Sequence, residues 1–297
     1  MLSISVIIPT LKAASTLPRT LDALRINTVQ PQEILVIDGL SLDGTEEIAK
    51  EYGCRFLTNP AKHTSAARQI GIEASQGVVI AMTDADCIPD LDWLERILNH
   101  FEQIPELDGV GGPVRLDHSQ TRVQAYCARK AVEGIPEKAE MITRKGMRGR
   151  FSGANCAYRK QLLLDINGVN LTFQAHGSDI DLFWRAVDHR ARLLFDPTIS
   201  VEHLGFARDY TKLAKKSFGY GIASARLACR HFPKKKFALN FYWKPWINTI
   251  QEFLSHHQQK FPECVFIDQV MFAFGRTWEW IKKDTVRTDS EREKIRK

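Results

Sequence analysis

Two carboxylates stand one residue apart in Asp84-Ala85-Asp86, directly after the apolar run Val78–Met82. A short apolar run bounded by turn residues reads as a buried strand, so both acids emerge at its end. They cannot both be buried there without a cation. Magnesium or manganese takes oxygen ligands and binds through one or two carboxylates together with substrate phosphates. A metal held that way would neutralise a diphosphate as it leaves. Two acids in a loop are a weak signal by themselves; their place after a strand strengthens it.

Other acids fall at similar places. Asp38 ends the run Glu33–Ile37, where a carboxylate can accept from a base N–H or a ribose hydroxyl. The residues behind it read as a turn, with Thr45 capping a short helix through Tyr52 and Gly53 at its end. Asp179 and Asp181 lie in the first turn of a helix predicted over Ser178–Asp188. Group transfer to a hydroxyl needs one carboxylate beside the attacking oxygen. The i,i+2 spacing points the two acids in different directions, so one can face a cleft while the other caps or pairs with Arg185. Asp179 is taken as the base, although acids suit any helix N-terminus. His176, three residues earlier, and Asp181 are placed on the acceptor side.

These residues need a scaffold that gathers strand ends. Ile4–Ile8 is a β-branched run ending at Pro9, and Leu17, Leu21 and Leu24 then recur at helical spacing. Thr64–Ser75 reads as a helix, and Trp93, Leu94, Ile97, Leu98 and Phe101 give another its apolar stripe. Alternating strands and helices predict a parallel, doubly wound α/β sheet, with ligands outside the carboxyl ends of its strands. Pro9-Thr10, Asp38 and Asp84 then share one rim. Further on, Phe151–Tyr158 and Arg192–Phe195 read as strands, Arg159–Ile166 as a helix and Asn167-Gly168 as a turn. After Phe206 the chain reads as helices over Tyr210–Arg230, Leu239–His257 and Cys264–Lys283, with a frayed polar end from Asp284.

The chain has 297 residues, 44% of them hydrophobic, enough for one large α/β domain plus an appendage. Charge is uneven. Residues 206–297 carry 19 Lys and Arg against 9 Asp and Glu, a net of +10, whereas residues 1–205 carry −4. A basic tail suits an anionic partner such as a membrane surface or a phosphate-bearing acceptor. Within it, residues 232–254 interleave lysines with Phe, Tyr and Trp, which suits either a membrane interface or packing on the catalytic domain. No recognition motif accompanies the charge, so nucleic acid is a poor fit. Six scattered cysteines without a CxxC pair read as reduced core thiols of a cytoplasmic protein, with peripheral contact to the cytoplasmic membrane face as an option. No apolar run approaches the roughly 20 residues of a membrane span. The first residues read as a buried strand rather than a signal peptide.

In series, ISVIIPTLKAASTLPRTLDAL, EILVIDGLSLDGT, HTSAARQIGIEASQGVVIAMTDADC, GVGGPV, FSGANCAYRK and HGSDIDLFWRA resemble family 2 glycosyltransferases across residues 3–205. The resemblance implies a GT-A fold: a Rossmann-like, mostly parallel sheet with helices on both faces, here with a C-terminal helical extension. It implies a domain over 1–205, with a donor half to about 115 and an acceptor half from 116, and an extension over 206–297. It implies inverting transfer from a nucleoside-diphosphate sugar, a UDP-sugar ahead of a GDP-sugar, to a glycan or lipid-linked hydroxyl, with Mn²⁺ or Mg²⁺ as cofactor. Pro9, Thr10, Asp38 and Arg68 match nucleotide-lining positions, Asp84 the ribose-binding acid, Asp86 the metal and diphosphate acid, and Asp179 the base. His203 matches a region where a histidine can complete the metal site. Three positions depart from the pattern: Gly39 stands for a second Asp, Gln69 for Asn and Ser178 for Glu. The rival readings are a sugar-nucleotide nucleotidyltransferase and a membrane-associated scaffold without turnover. The first would carry a Gly-rich loop after the first strand, and PTLKAASTLPR has no glycine.

Overall fold

A computed structural model describes residues 2–116, 120–146, 151–205, 207–232, 247 and 261–295. The elements begin with β1 (Ile4–Thr10), α1 (Leu17–Arg25), β2 (Glu33–Asp38), α2 (Thr45–Glu51), β3 (Arg55–Thr58), α3 (Thr64–Ala74), β4 (Val79–Met82), β5 (Cys87–Pro89) and α4 (Trp93–Gln103). There follow β6 (Gly109–Gly111), β7 (Val114–Leu116), α5 (Arg122–Val132), β8 (Glu140–Ile142), β9 (Cys156–Arg159), α6 (Lys160–Asp165), α7 (Ser178–Asp188), β10 (Leu193–Phe195) and β11 (Val201–His203). Two long helices, α8 (Tyr210–His231) and α9 (Pro262–Ile295), come last.

Eight strands form one sheet in the order β3-β2-β1-β4-β9-β6-β10-β8. The first four are mutually parallel, and β10 runs parallel to β6; β9 and β8 run against their neighbours. A small sheet, β5-β11-β7, sets Cys87 opposite His203. The β1 run alternates between two cores, as side chains of a strand must. Ile4, Val6 and Ile8 join Leu17, Leu21, Trp93 and Phe101 in one, and Ile7 joins Ile72, Leu162 and Phe183 in the other. Both faces of the sheet are therefore covered, and the strand ends are left at the rim.

Several boundaries differ from the sequence reading for identifiable reasons. β1 continues through Pro9 to Thr10, because its ladder with β4 stops at Ile7. Pro9 shares the β4-facing side with Ile7, whose carbonyl accepts from Thr83, so its missing N–H costs no ladder bond. Thr45 is the first helical residue of α2 and Gly44, at φ 92°, is the cap; the Thr45 hydroxyl instead donates to Asp43 Oδ1 and accepts from Ala13 N. The strand read over Phe151–Tyr158 starts only at Cys156, after a turn closed by a Ser152–Asn155 bridge. Helix α9 runs to Ile295 where a frayed end was expected.

The chain divides into two compact units, Met1–His118 with Ala128–Phe206, and Ser119–Cys127 with Ala207–Lys297. In the second, α8 and α9 pack closely: a Cβ at Gly221 would collide with the Phe272 carbonyl, and one at Gly275 with the Phe218 carbonyl. Asp268 is buried between them and accepts from Ser217 Oγ and Tyr126 Oη, each at 2.5 Å. The helix read over Leu239–His257 and nearly all of the basic aromatic segment lie outside the described residues. Among the described residues, no helix is long and apolar enough to cross a membrane.

Candidate active site

The site residues lie in the first unit, along the ends of β1, β2, β4 and β11 and the starts of α3 and α7. Asp38, 2% exposed, closes the loop after β2 onto the end of β1. Its Oδ1 accepts from Thr10 Oγ1 (2.9 Å) and Ser41 Oγ (2.7 Å), and its Oδ2 from Ser41 N (2.6 Å). Three donors leave a carboxylate room for about one more. Pro9 sits beside it, half-buried in β1.

Asp84 and Asp86 leave β4 in different company. Asp84 Oδ1 accepts from Arg68 Nη2 at 2.8 Å, and the Arg68 side chain is only 8% exposed. Burial works against the Arg68 charge, but Asp84 and Asp179 outweigh it and push its pKa up. Asp86 instead faces His203: Oδ1 lies 3.6 Å from Nε2. Leu204 N donates to the Asp86 carbonyl, and a Cβ at Gly205 would collide with Asp86 Oδ2. Gly205 N donates to His203 Nδ1 at 3.0 Å, so the neutral ring carries its proton on Nε2, toward Asp86.

Ligand atoms of Asp86, Cys87 and His203 lie within 4.8 Å of one another, the one such group among the described residues. Its chemistry fits a hard divalent cation through two members. The carboxylate oxygen suits Mn²⁺ or Mg²⁺, the imidazole nitrogen favours the transition metal of the two, and the missing side chain at Gly205 leaves the carboxylate its space. Cys87 is fully buried, and burial, then Asp84 and Asp86, push its thiol well above the ordinary range. Sulfur is also a soft ligand that a hard divalent cation does not prefer. With Nε2 as a ligand, the neutral His203 ring would carry its proton on Nδ1, where the Gly205 N–H now points.

Asp179 is the second residue of α7, which starts after Gly177, whose φ of 90° turns the chain into the helix. Its Oδ2 accepts from Gly153 N at 3.1 Å and its Oδ1 from Ile180 N at 2.9 Å. Asp179 and Ser178 line a cleft with Arg68, Gly153, Met82 and Tyr158. The turn before α7 is clamped from two sides. Gln69 Oε1 accepts from Val169 N at 2.7 Å, and Arg185 donates to the Ile166 and Gly168 carbonyls. His176 is half-buried in the bend leading to Gly177.

Asp181 corrects the sequence reading. It is fully buried, and its Oδ2 accepts from Arg185 Nε at 2.7 Å. A buried carboxylate needs this partner, and an acceptor cannot reach it. Asp181 therefore steadies α7 through Arg185 and is not an acceptor contact.

Three contributors escaped the sequence reading. Gly205 and Gly153 make room for Asp86 and Arg68; Gly205, two residues past His203, was an available signal, whereas Gly153 is far in sequence from every candidate residue. Asn155 is a buried hub: its Nδ2 donates to the Pro113 and Ile199 carbonyls, both at 2.8 Å, and its Oδ1 accepts from Trp93 Nε1 at 2.9 Å. A lone Asn inside a predicted strand signals nothing of the kind.

The sequence model described as glycosyl transferase family 2 matches residues 5–166. Glycosyltransferase AglE of Haloferax volcanii is 29% identical over 231 residues, covering 73% of this chain and 71% of that protein. The pre-mycofactocin glycosyltransferase of Mycobacterium tuberculosis is 28% identical over 233 residues; the match covers 77% of this chain but 48% of that longer protein. Among solved structures, the mannosyltransferase PcManGT of Pyrobaculum calidifontis, in complex with GDP-Man and Mn²⁺, superposes with a TM-score of 0.62 at 13% identity, covering 94% of this chain and 87% of that one.

Proposed function

The chain belongs to glycosyl transferase family 2, and on that premise we propose that it moves a sugar from a nucleoside-diphosphate donor to an acceptor hydroxyl with inversion. The observation that carries this reading is the Asp86–His203 pair at the end of β4, beside an Asp84 already held by Arg68. The proposed catalytic domain is residues 1–205, followed by an extension over 206–297.

In this reading Pro9, Thr10 and Asp38 receive the nucleoside, and Asp84 meets the donor ribose. Asp86 and His203 hold a divalent ion, Mn²⁺ or Mg²⁺. That ion, when bound, supplies positive charge to the departing diphosphate. Asp179 takes the proton of the acceptor hydroxyl as its oxygen bonds to the anomeric carbon and the carbon–diphosphate bond breaks. Gly153 N–H aims the Asp179 carboxylate, and His176 stands on the acceptor side. The metal and diphosphate complex of PcManGT supports the donor half of this reading.

A glycan or lipid-linked hydroxyl is the proposed acceptor. The net charge of +10 over residues 206–297 supports an anionic one, and a peripheral membrane contact there. The test is incubation with UDP- and GDP-sugars, Mn²⁺ and lipid-phosphate-linked glycans, with the nucleotide product identified. Acceptor-dependent release of nucleoside diphosphate is the expected result, and the nucleoside names the donor. Pyrophosphate release would favour nucleotidyl transfer, and no Mn²⁺-dependent nucleotide binding at all would favour a scaffold.

A further inference from the structure

Arg68 was placed among the nucleotide contacts, but its surroundings assign it other work. Its guanidinium is buried, with Nη2 committed to Asp84 at 2.8 Å and Nε buried without a hydrogen-bond partner. Against it lies Gly153. A Cβ built there would collide with the guanidinium carbon and both terminal nitrogens about equally, so only a residue without a side chain can pack this closely over the guanidinium. The same residue donates its N–H to Asp179 Oδ2 at 3.1 Å. Arg68 also feels the Asp179 charge directly, second only to Asp84 among the charges that raise its pKa.

We propose that Arg68 is a positioning residue for the base: it supports Asp179 through the Gly153 backbone packed on it and through charge attraction, while Asp84 anchors it from the donor side. This rests on the reading of Asp179 as the base. One buried cation then serves two carboxylates with different tasks, so the donor end and the acceptor end share a single support. Without it, Asp84 and Asp179 become two acids in one poorly solvated site with no counter-charge, and they separate. Donor binding, which has other contacts, survives that change better than transfer does, because transfer depends on the exact placement of the base.

The experiment measures steady-state transfer, and UDP and GDP affinity with Mn²⁺, for wild type, Arg68→Met, Arg68→Lys and Gly153→Ala in the full chain. For Arg68→Met the expected result is kcat lower by roughly 100-fold, a larger change than the loss of nucleotide affinity that the freed Asp84 brings. Arg68→Lys keeps the charge without the guanidinium and recovers part of kcat. Gly153→Ala keeps the charge but displaces the close contact, and it lowers kcat with little effect on nucleotide affinity. If Arg68→Met does not fold, the other two variants decide.

A raised donor KM with unchanged kcat in these variants overturns the proposal and returns Arg68 to the donor. Unchanged kcat and KM overturn it as well. Asp179→Asn separates the layers. If that variant transfers at the wild-type rate, the base reading itself fails. If it is inactive while Arg68→Met and Gly153→Ala keep full kcat, only the positioning role falls.

Discussion

His203 Nε2 stands 3.6 Å from Asp86 Oδ1, and the two side chains arrive from separate segments that meet in the small β5-β11-β7 sheet. The antiparallel register sets His203 opposite Cys87, one residue past Asp86, so backbone pairing alone fixes the approach. The pair therefore needs little side-chain rearrangement to share a cation; what must change is the ring proton, now on Nε2, and the Gly205 N–H that faces Nδ1.

Gly205 is the most sensitive neighbour of that pair. Gly205→Ala places a methyl where Asp86 Oδ2 now lies. Mn²⁺ affinity should fall about tenfold or more, the scale of lost support around metal ligands, while the melting temperature moves little. Calorimetric Mn²⁺ titration beside a thermal melt checks both; an unchanged affinity would mean that the carboxylate does not need its present place.

Asp179→Asn keeps the shape of the α7 entrance and removes the proposed proton acceptor. The rate constant for transfer should drop by roughly 10²–10⁴, the usual contribution of a general base. Donor KM should stay near wild type, because Asp179 is assigned to the acceptor. Initial-rate kinetics across donor concentrations give both values. A variant that is impaired only through donor KM would place Asp179 on the other substrate.

Asn155→Ala tests the frame beneath the site. It strands Trp93 Nε1 and the Ile199 carbonyl and leaves the Pro113 carbonyl with Val201 N alone. The cost should be about 2 kcal/mol or more, since buried groups left without partners carry a desolvation penalty of about 1–3 kcal/mol each. Denaturant unfolding measures it, and a change under 1 kcal/mol, below that per-group range, would show that the hub is replaceable.

Asp196 supplies a pH-dependent part of stability. Burial pushes its pKa up, but the Thr198 N–H and hydroxyl, then His100 at 2.6 Å, pull it below the ordinary 3.8 overall. A carboxylate depressed in the folded state stabilises above its unfolded pKa and loses that contribution as pH falls through the folded one. Asp196→Asn should therefore be less stable than wild type at pH 6, and the gap should narrow below about pH 3.8. Urea midpoints across pH 3–6 follow it; a gap that widens on acidification has the wrong sign.

How far the sequence could be read depends on the range over which each signal acts. The α4 stripe of Trp93, Leu94, Ile97, Leu98 and Phe101 is a local periodicity, and all five residues are buried as read. The three-residue strands β5, β6 and β8 are too short for any period to show, and they exist because partners distant in sequence complete them. The same distinction holds at the site. Strand-end acids were visible because each follows an apolar run. The Arg68–Asp84 pairing and the seat that Gly153 gives Asp179 were not, because a contact between residues 16 or 26 apart leaves no local trace. Asp181 shows the opposite failure: its helix-terminal position fits solvent, an acceptor or Arg185 equally, and only burial decides among them.

The most direct test of the account is a calorimetric titration of UDP and GDP into wild type and Asp86→Asn, each with and without Mn²⁺. The account predicts that one nucleotide binds wild type tightly only with Mn²⁺, and that Asp86→Asn loses the Mn²⁺ enhancement while retaining weak metal-free binding. Equal affinity with and without Mn²⁺ in wild type, or an Mn²⁺ enhancement that survives in Asp86→Asn, would contradict it.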